Sequence, residues 1–405
     1  MSHLLAGLGW SVHAETAVAI TQAIAQALPP LQGYAPSVAF VTTTVEHDAQ
    51  RVFDALRAAL PGTAIHGITT SLGLLGREGV ISGTDGVVGV LLLAGSGGVR
   101  VAVGAAPISG DPRAAAQLAA QQLLQQGDGV LPRVILFNAS PGHEEALLQT
   151  LAEQLPGVPA FGGSAADHAI AGEWSVFTSS GPLKDAVSLV GIFGAVAVGG
   201  AIRAPYVPTG HHGQVTASSG RTLHELDGRP AADVLNEWLD GALTEQIREG
   251  GNILAQTALR PLGIQCQTEA GVHWLTIHPA HINQVDRSVS LFACAAPGQT
   301  LCVMEGSVSG LTTVLGDLCS ESLARAGLLP HQVGLAILIY CAGCAGAIGA
   351  ELDAGLRAQL ADRLGNAPLL GMCTFGEQGH VPGFGNCHQD LSVSLLLIGD
   401  PASAS

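Results

Sequence analysis

The stretch PSVAFVTTT, residues 36–44, decides the fold that the sequence predicts. It is an apolar run rich in β-branched residues, which is typical of a buried strand. A short strand that ends in glycine and hydroxyl residues comes later (PGTAIHGITTSLG, 61–73), and another buried strand closes the unit (DGVVGVLLLAG, 85–95). Between them, apolar residues at helical spacing mark one face of a helix: Val52, Phe53, Leu56, Ala59 and Leu60.

This order of strand, helix, short strand with a polar turn, and last strand recurs twice. The second occurrence comprises PRVILFNAS (132–140), a helix marked by Leu147, Leu148, Leu151 and Leu155, PGVPAFGGSAADH (156–168), and DAVSLVGIFG (185–194). The third comprises VGLAILIYCAG (333–343), a helix marked by Leu352, Leu356, Leu360 and Leu364, NAPLLGMCTFGEQGH (366–380), and QDLSVSLLLIG (389–399). Repeats of about a hundred residues indicate duplication at the scale of a domain. We therefore predict an α/β protein in which helices back mixed β-sheets and strand–helix–strand units are internally duplicated.

The segment between the second and third units follows no such order. We predict a helix from Pro230 to about Ile247 and three later strands, and the length leaves room for a fourth, divergent unit. The polar, turn-rich stretch 216–231 is the predicted boundary, which divides the chain into domains 1–220 and 221–405. Because the polar turns lie at equivalent ends of their sheets, we expect the two domains to share a ligand cleft.

Composition excludes several classes of function. A formal net charge of −16 and the lack of any basic cluster argue against nucleic acid or an acidic membrane as partner. The apolar stretch 187–202 is shorter than the roughly 20 residues of a membrane span, so we predict two buried strands joined by a turn. The first residues lack the basic region of a signal peptide, and the eight cysteines suggest reduced thiols in a cytoplasmic protein.

Several segments resemble the FIST family along nearly the whole chain. FGGSAADH (161–168) and residues 208–231 resemble its N-terminal domain, whereas RPLGI (260–264), YCAGC (340–344) and residues 369–399 resemble its C-terminal domain. The resemblance implies two FIST domains that act as an intracellular sensory module for small ligands such as amino acids. The sequence contains no kinase, cyclase or helix-turn-helix pattern, so we expect the signal to pass through a partner protein. Two departures are that Cys344 stands where many members have arginine, and that residues 66–73 lack the family's usual form.

The resemblance also implies a set of ligand-binding residues. The family motif matches Gly371, Thr374, Gly376, Glu377, Asn386 and His388, and the equivalent turn of the second unit adds Gly162, Gly163, Ser164 and Asp167, with Cys341 from YCAGC. Glycine lets main-chain N–H groups face an anion, hydroxyls can donate further hydrogen bonds, and carboxylates can accept from an ammonium group. Ordinary turns and helix caps use the same residue types, and this alternative stays open.

Two further hypotheses follow from histidines and thiols. Some FIST relatives look like haem-binding nitric oxide sensors that regulate histidine kinases, and His212 and His380 are then the candidate haem ligands. Cys341 and Cys344 form a Cys-x-x-Cys pair, which suggests a redox pair, half a zinc site completed by Cys373, Cys387 and His388, or simply buried thiols. A thiol-dependent enzyme is the third hypothesis, but no catalytic sequence motif supports it.

Overall fold

The computed structural model describes residues 3–268 and 271–400, and three units with the same order of elements make up most of them. Each unit begins with a strand that precedes the pattern seen in the sequence. The first unit contains β1 His3–Ser11, α1 Thr16–Ala27, β2 Val38–Thr43, α2 Ala49–Ala59, β3 Ala64–Thr69, β4 Ser71–Gly76, β5 Gly79–Ile81 and β6 Val88–Ser96. The second contains β7 Arg100–Pro107, α3 Pro112–Gln126, β8 Val134–Ala139, α4 Glu144–Gln154, β9 Ala160–Ser164, β10 Val176–Thr178, β11 Gly181–Leu183 and β12 Ala186–Phe193.

The third unit is interrupted after its first strand, β13 Ala197–Arg203, by residues 206–306, which we call the insertion. The insertion contains β14 Tyr206–Ser219, β15 Thr222–Leu226, β16 Arg229–Pro230, α5 Ala231–Trp238, α6 Thr244–Glu249, β17 Gly251–Asn252, α7 Leu254–Thr257, β18 Leu262–Thr268, β19 Gly271–Ile277, β20 Pro279–Ile282, β21 Val289–Leu291 and β22 Thr300–Gly306. The unit then resumes with α8 Val308–Ala326, β23 Val333–Cys341, α9 Ala342–Ile348, α10 Glu351–Leu360, β24 Leu369–Thr374, β25 Glu377–Val381, β26 Gly385–Gln389 and β27 Val393–Gly399.

The three units exchange hairpins in a cycle. Their sheets have the strand orders β1-β6-β2-β3-β10-β11, β7-β12-β8-β9-β25-β26 and β13-β27-β23-β24-β4-β5. The central pairs β2/β3, β8/β9 and β23/β24 are parallel, and their other neighbours are antiparallel. The last two strands of each sheet form a hairpin that belongs to another unit. The first sheet receives its hairpin from the second unit, the second sheet from the third unit, and the third sheet from the first unit. The predicted fold class, with mixed sheets backed by helices and duplicated units, is confirmed.

Both faces of the central strands are buried. In β23, Leu335, Ile337 and Ile339 contribute to a core shared by all three sheets, while Leu338 and Tyr340 on the opposite face pack under the outer helices. The same alternation occurs in β2 and β8. Because side chains alternate between the two faces of a strand, a strand covered on both faces must be apolar throughout. This explains the uninterrupted apolar runs in the sequence.

The insertion forms a sheet of its own, in the order β17-β20-β21-β15-β14-β22-β18-β19 with β16 beside β15, over a separate apolar core. It replaces the fourth unit for which the sequence left room. The helix predicted from Pro230 to Ile247 is divided into α5 and α6, because Asp240 and Gly241 adopt positive φ values of 57° and 83°. That backbone conformation is not helical.

The apolar stretch 187–202 is confirmed as two buried strands, since it corresponds to most of β12 and β13. Within the described ranges we find no helix that combines the length and the apolar character needed to cross a membrane. The division at residue 220 stays a prediction. Strands from both sides of that residue pair with one another in two of the three unit sheets and in the sheet of the insertion.

The polar turns that recur in the sequence are the points where the chain crosses from one sheet to the next. Thr70 lies between β3 and β4, and its Oγ1 accepts a hydrogen bond of 2.8 Å from the amide of Cys373 in β24. The amide of Ser164, at the end of β9, donates to the carbonyl of Gly376 at 3.0 Å. These contacts join all three units at one end of their sheets.

We predict that Thr70→Val destabilises the whole scaffold. Valine keeps the shape of threonine but leaves the buried amide of Cys373 without an acceptor, which costs about 1–3 kcal/mol. Urea unfolding measures this loss. Thr70→Ser, which keeps the acceptor oxygen, is the matched control and should lose less. Amide exchange should show that protection falls in all three sheets together, and a loss confined to β4 and β24 would contradict the prediction.

Candidate functional site

Most of the predicted ligand glycines are packed against neighbouring strands. A Cβ atom on Gly162 would lie 1.6 Å from the carbonyl oxygen of Phe137, and one on Gly163 would lie 2.4 Å from Cγ2 of Thr374. Gly371 is equally crowded by β4. The structure therefore explains these three glycines by the close approach of strands at the crossings.

The two predicted carboxylates are both engaged in the protein. The carboxylate of Asp167 accepts backbone amides from its own loop, those of Ala169, Ala171 and Glu173, at 2.9–3.2 Å. Glu377 is fully buried, and its two oxygens accept from Thr374 Oγ1 at 2.9 Å and from the amide of Ser392 at 3.1 Å. Burial and the nearby thiol of Cys341 raise the pKa of Glu377 well above its usual value. Both side chains hold loops in place.

Three other predicted residues lie apart from any large opening. Asn386 ties β26 to the edge of β9, because its amide oxygen accepts from the amide of Ala160 at 2.9 Å. His380 contacts the same oxygen through Nδ1 at 3.0 Å. His212 is exposed on β14, with Nδ1 3.2 Å from the carbonyl of Gly210. Neither histidine lines the cavity described below, so the surroundings of this pair do not fit a haem pocket.

A cavity of about 590 Å³ lies at the junction of the second unit, the third unit and the insertion. Its walls are mainly apolar and include Trp174, Leu254, Leu259, Phe292 and Phe375. Trp174 and Phe375 meet edge to face, with ring centroids 6.2 Å apart. Of the residues predicted from sequence, the structure brings three to this cavity, namely Cys341, Thr374 and Gly376. Its size is within the range of small-molecule sites.

Arg221 of the insertion closes one side of the cavity and pairs with two carboxylates of the second unit. Its Nη2 lies 2.6 Å from Glu144 Oε2 and 2.6 Å from Glu145 Oε2. Ser164, a predicted residue, donates from Oγ to Glu144 Oε1 at 2.6 Å behind the cavity wall. Burial opposes ionisation of Glu144, but the charges of His388 and Arg221 lower its pKa below the usual value. The same charges lower the pKa of Glu145 to about 2, against its burial.

Asp390 borders the cavity beside this cluster and is 3% exposed. Its Oδ2 accepts from the amide of His278 at 3.0 Å. Its Oδ1 lies 3.6 Å from Nε2 of His388, and no residue in the described ranges gives it a hydrogen bond. Burial raises the pKa of Asp390 to about 6, although His388 opposes this shift. Burial also lowers the pKa of His278 to about 4, so its ring is neutral and donates from Nε2 to the Leu254 carbonyl at 3.2 Å.

Comparison with known proteins identifies the chain. The model of the FIST N domain matches residues 37–229, and the model of the FIST C domain matches residues 231–380. The chain belongs to the FIST family. FIST domains are commonly associated with small-ligand sensing in signalling.

Individual relatives add little to this assignment. An uncharacterized protein of Methanocaldococcus jannaschii, MJ1623, is 25% identical over 217 residues, which span 49% of this FIST protein and only 40% of the relative. Among solved structures, PurLQS from Thermotoga maritima is similar over 99% of this chain and 73% of its own, at 8% identity and a TM-score of 0.24. T. maritima PurL complexed with AMPPCP is similar over 98% and 72%, at 10% identity and a TM-score of 0.23. Scores this low carry no argument about fold or function.

The cysteines of this FIST protein are free thiols, and those near the cavity are poorly suited to react. The hydrogen bond that the Cys341 thiol donates to the Cys344 side chain, together with burial, raises the pKa of Cys341 well above the usual value, and burial raises that of Cys373. A reactive cysteine needs a lowered pKa. Among the residues that the structure describes, no three His, Cys, Asp or Glu side chains are arranged to hold a metal ion. The zinc alternative therefore has no geometric support.

The polar residues at and beside this FIST cavity were not predicted from the sequence, namely Arg221, His278 and Asp390 in its lining and Glu144 and Glu145 next to Arg221. Arg221 lies in the stretch predicted as a boundary, and Asp390 lies at the start of the predicted last strand. The signal in the sequence that could have found them is the low number of charged residues. Only 12% of residues are charged, so two adjacent glutamates at the start of a helix indicate that a cationic side chain lies near them in the fold.

We predict that Asp390→Asn stabilises the protein at neutral pH. A pKa of about 6, above the ordinary value near 4, means that the folded state disfavours the ionised carboxylate. This cost is present above pH 6 and disappears as pH falls toward 4. The variant should gain about 1–3 kcal/mol in free energy of unfolding at pH 7.5, and the gain should shrink toward pH 4.5. Denaturant titrations at the two pH values measure it, with the exposed Asp317→Asn as control. Destabilisation at pH 7.5 would contradict the prediction.

Proposed function

We propose that this FIST protein is a sensor that binds a small, amino-acid-like ligand in the junction cavity and signals through a partner protein. The observation that carries this proposal is the shape and polarity of the cavity. One end presents Arg221 and Asp390, while the remaining walls are mainly apolar. Small-molecule sites typically combine an apolar enclosure with a few convergent polar groups. The association of FIST domains with small-ligand sensing supports the same conclusion.

The position of the cavity suggests how binding becomes a signal. Leu254, Arg221 and His278 belong to the insertion, whereas Thr374, Gly376 and Asp390 belong to the third unit. A ligand that contacts both the insertion and the third unit favours the relative position of these two parts in which all its contacts form at once. A partner protein that binds the insertion in only one arrangement then responds to the ligand. The free thiols support a reducing compartment such as the cytoplasm.

Haem sensing with a histidine kinase partner has less support than metabolite binding. It was expected from the resemblance through His212 and His380, and neither residue lies at the cavity. A thiol-dependent enzyme is also less well supported, because the cavity thiol of Cys341 has a raised pKa.

Gly346 offers a direct test, because it lines the cavity on α9 and a Cβ built there meets no atom within 4 Å. We predict that Gly346→Leu abolishes ligand binding without loss of stability, since its side chain enters the cavity and leucine is the better helix former by roughly 0.5–1 kcal/mol. Thermal shifts with a panel of amino acids and their derivatives measure binding. Gly346→Ala is the control, which should gain stability and keep most of the binding. A ligand that stabilises the leucine variant as strongly as the native protein binds elsewhere.

A further inference from the structure

The charges around the cavity do not balance. Glu144, Glu145 and Asp390 supply three carboxylates, and even with His388 protonated only two cations of the described part of the chain, Arg221 and His388, face them. Glu144 and Glu145 keep lowered pKa values and are therefore ionised. The polar end of the cavity thus carries a net negative charge of at least one at neutral pH. A negative charge enclosed by apolar walls attracts a cation more strongly than the same charge in water would.

The free carboxylate oxygen at that end also favours a cation. Arg221 Nη2 lies 2.6 Å from each of two carboxylates, whereas its buried Nε has no hydrogen-bond acceptor among the described residues. A ligand anion that reached Nε would still lie beside the two negative charges of Glu144 and Glu145, which outweigh the single charge of Arg221. Asp390, in contrast, is a buried residue at the cavity, and its Oδ1 accepts no hydrogen bond from residues 3–268 and 271–400, with His388 Nε2 3.6 Å away. A buried carboxylate oxygen without a donor is costly, and an ammonium N–H supplies the missing bond.

We infer that the ligand is a primary amine on an apolar body, with its ammonium group bound by Asp390 and with no carboxylate required. This inference rests on the proposed function and narrows its ligand class. The apolar body lies against Trp174, Phe375 and Phe292, and the volume of the cavity leaves room for a ring system or an extended chain. A carboxylate on the ligand gains little, because the charge of Arg221 is already neutralised within the protein.

Three indoles with the same ring separate the possibilities. Tryptamine carries a cation, tryptophan a zwitterion and indole-3-propionate an anion, and calorimetry at pH 7.5 gives the affinity of each. We expect tryptamine to bind at least as tightly as tryptophan and at least tenfold more tightly than indole-3-propionate. Octylamine, 2-aminooctanoic acid and nonanoic acid repeat the comparison with an aliphatic body and should give the same order.

Asp390→Asn tests the residue itself. The variant should bind tryptamine at least tenfold more weakly and should narrow the difference between tryptamine and indole-3-propionate, whereas Asp317→Asn should leave both affinities unchanged. Circular dichroism confirms that the variant is folded. Equal binding of amine and acid by the native protein, or unchanged tryptamine affinity in Asp390→Asn, overturns the inference and leaves the proposed function standing. If no member of either series binds the native protein, both are overturned.

Discussion

The structure depends on one constraint, which is that no sheet is complete within its own unit. Each parallel pair of strands is extended by a hairpin that the chain delivers from another unit, and the three sheets share one apolar core. A unit on its own would expose both the edge where the foreign hairpin pairs and the face that the other sheets cover. Open edges and bare apolar faces favour association with other chains. The units therefore fold as one body, and glycine and threonine occur at the crossings because the backbones meet there.

The sequence predicts the elements of this fold better than their partners. Runs such as 333–341 are apolar at every position because both faces are covered, and that pattern is local. The sequences of the hairpins β4–β5 and β25–β26 do not indicate which sheet each hairpin joins, because the positions of whole units decide the pairing. Gly162 and Gly371 show the same limit. Their spacing correctly indicates sharp local geometry, but only the fold shows that strands, and not a ligand, occupy the space beside them.

The charged residues at the cavity were hidden from sequence for a similar physical reason. Arg221 is separated from Glu144 by 77 residues, and a polar segment with glycine and serine around it resembles a solvated loop. Such an arrangement is expensive to fold, because buried charges lose hydration that their partners only partly replace. The raised pKa of Asp390 shows this loss of hydration, because burial disfavours its ionised form. A group that reduces stability while facing a cavity is typical of functional sites, where binding and stability make opposing demands.

The position of the insertion gives the molecule a property that its repeated units lack. The scaffold has three equivalent junctions between sheets, and a fully symmetric protein would offer three equivalent sites. The insertion enters after β13 and supplies Arg221, His278 and α7 as an additional wall to one of them. Symmetry is thereby broken, and the site that we propose at this junction is formed once per chain. Since the insertion has its own sheet and core, exchanging this segment between relatives would change what is recognised while the threefold framework beneath stays the same.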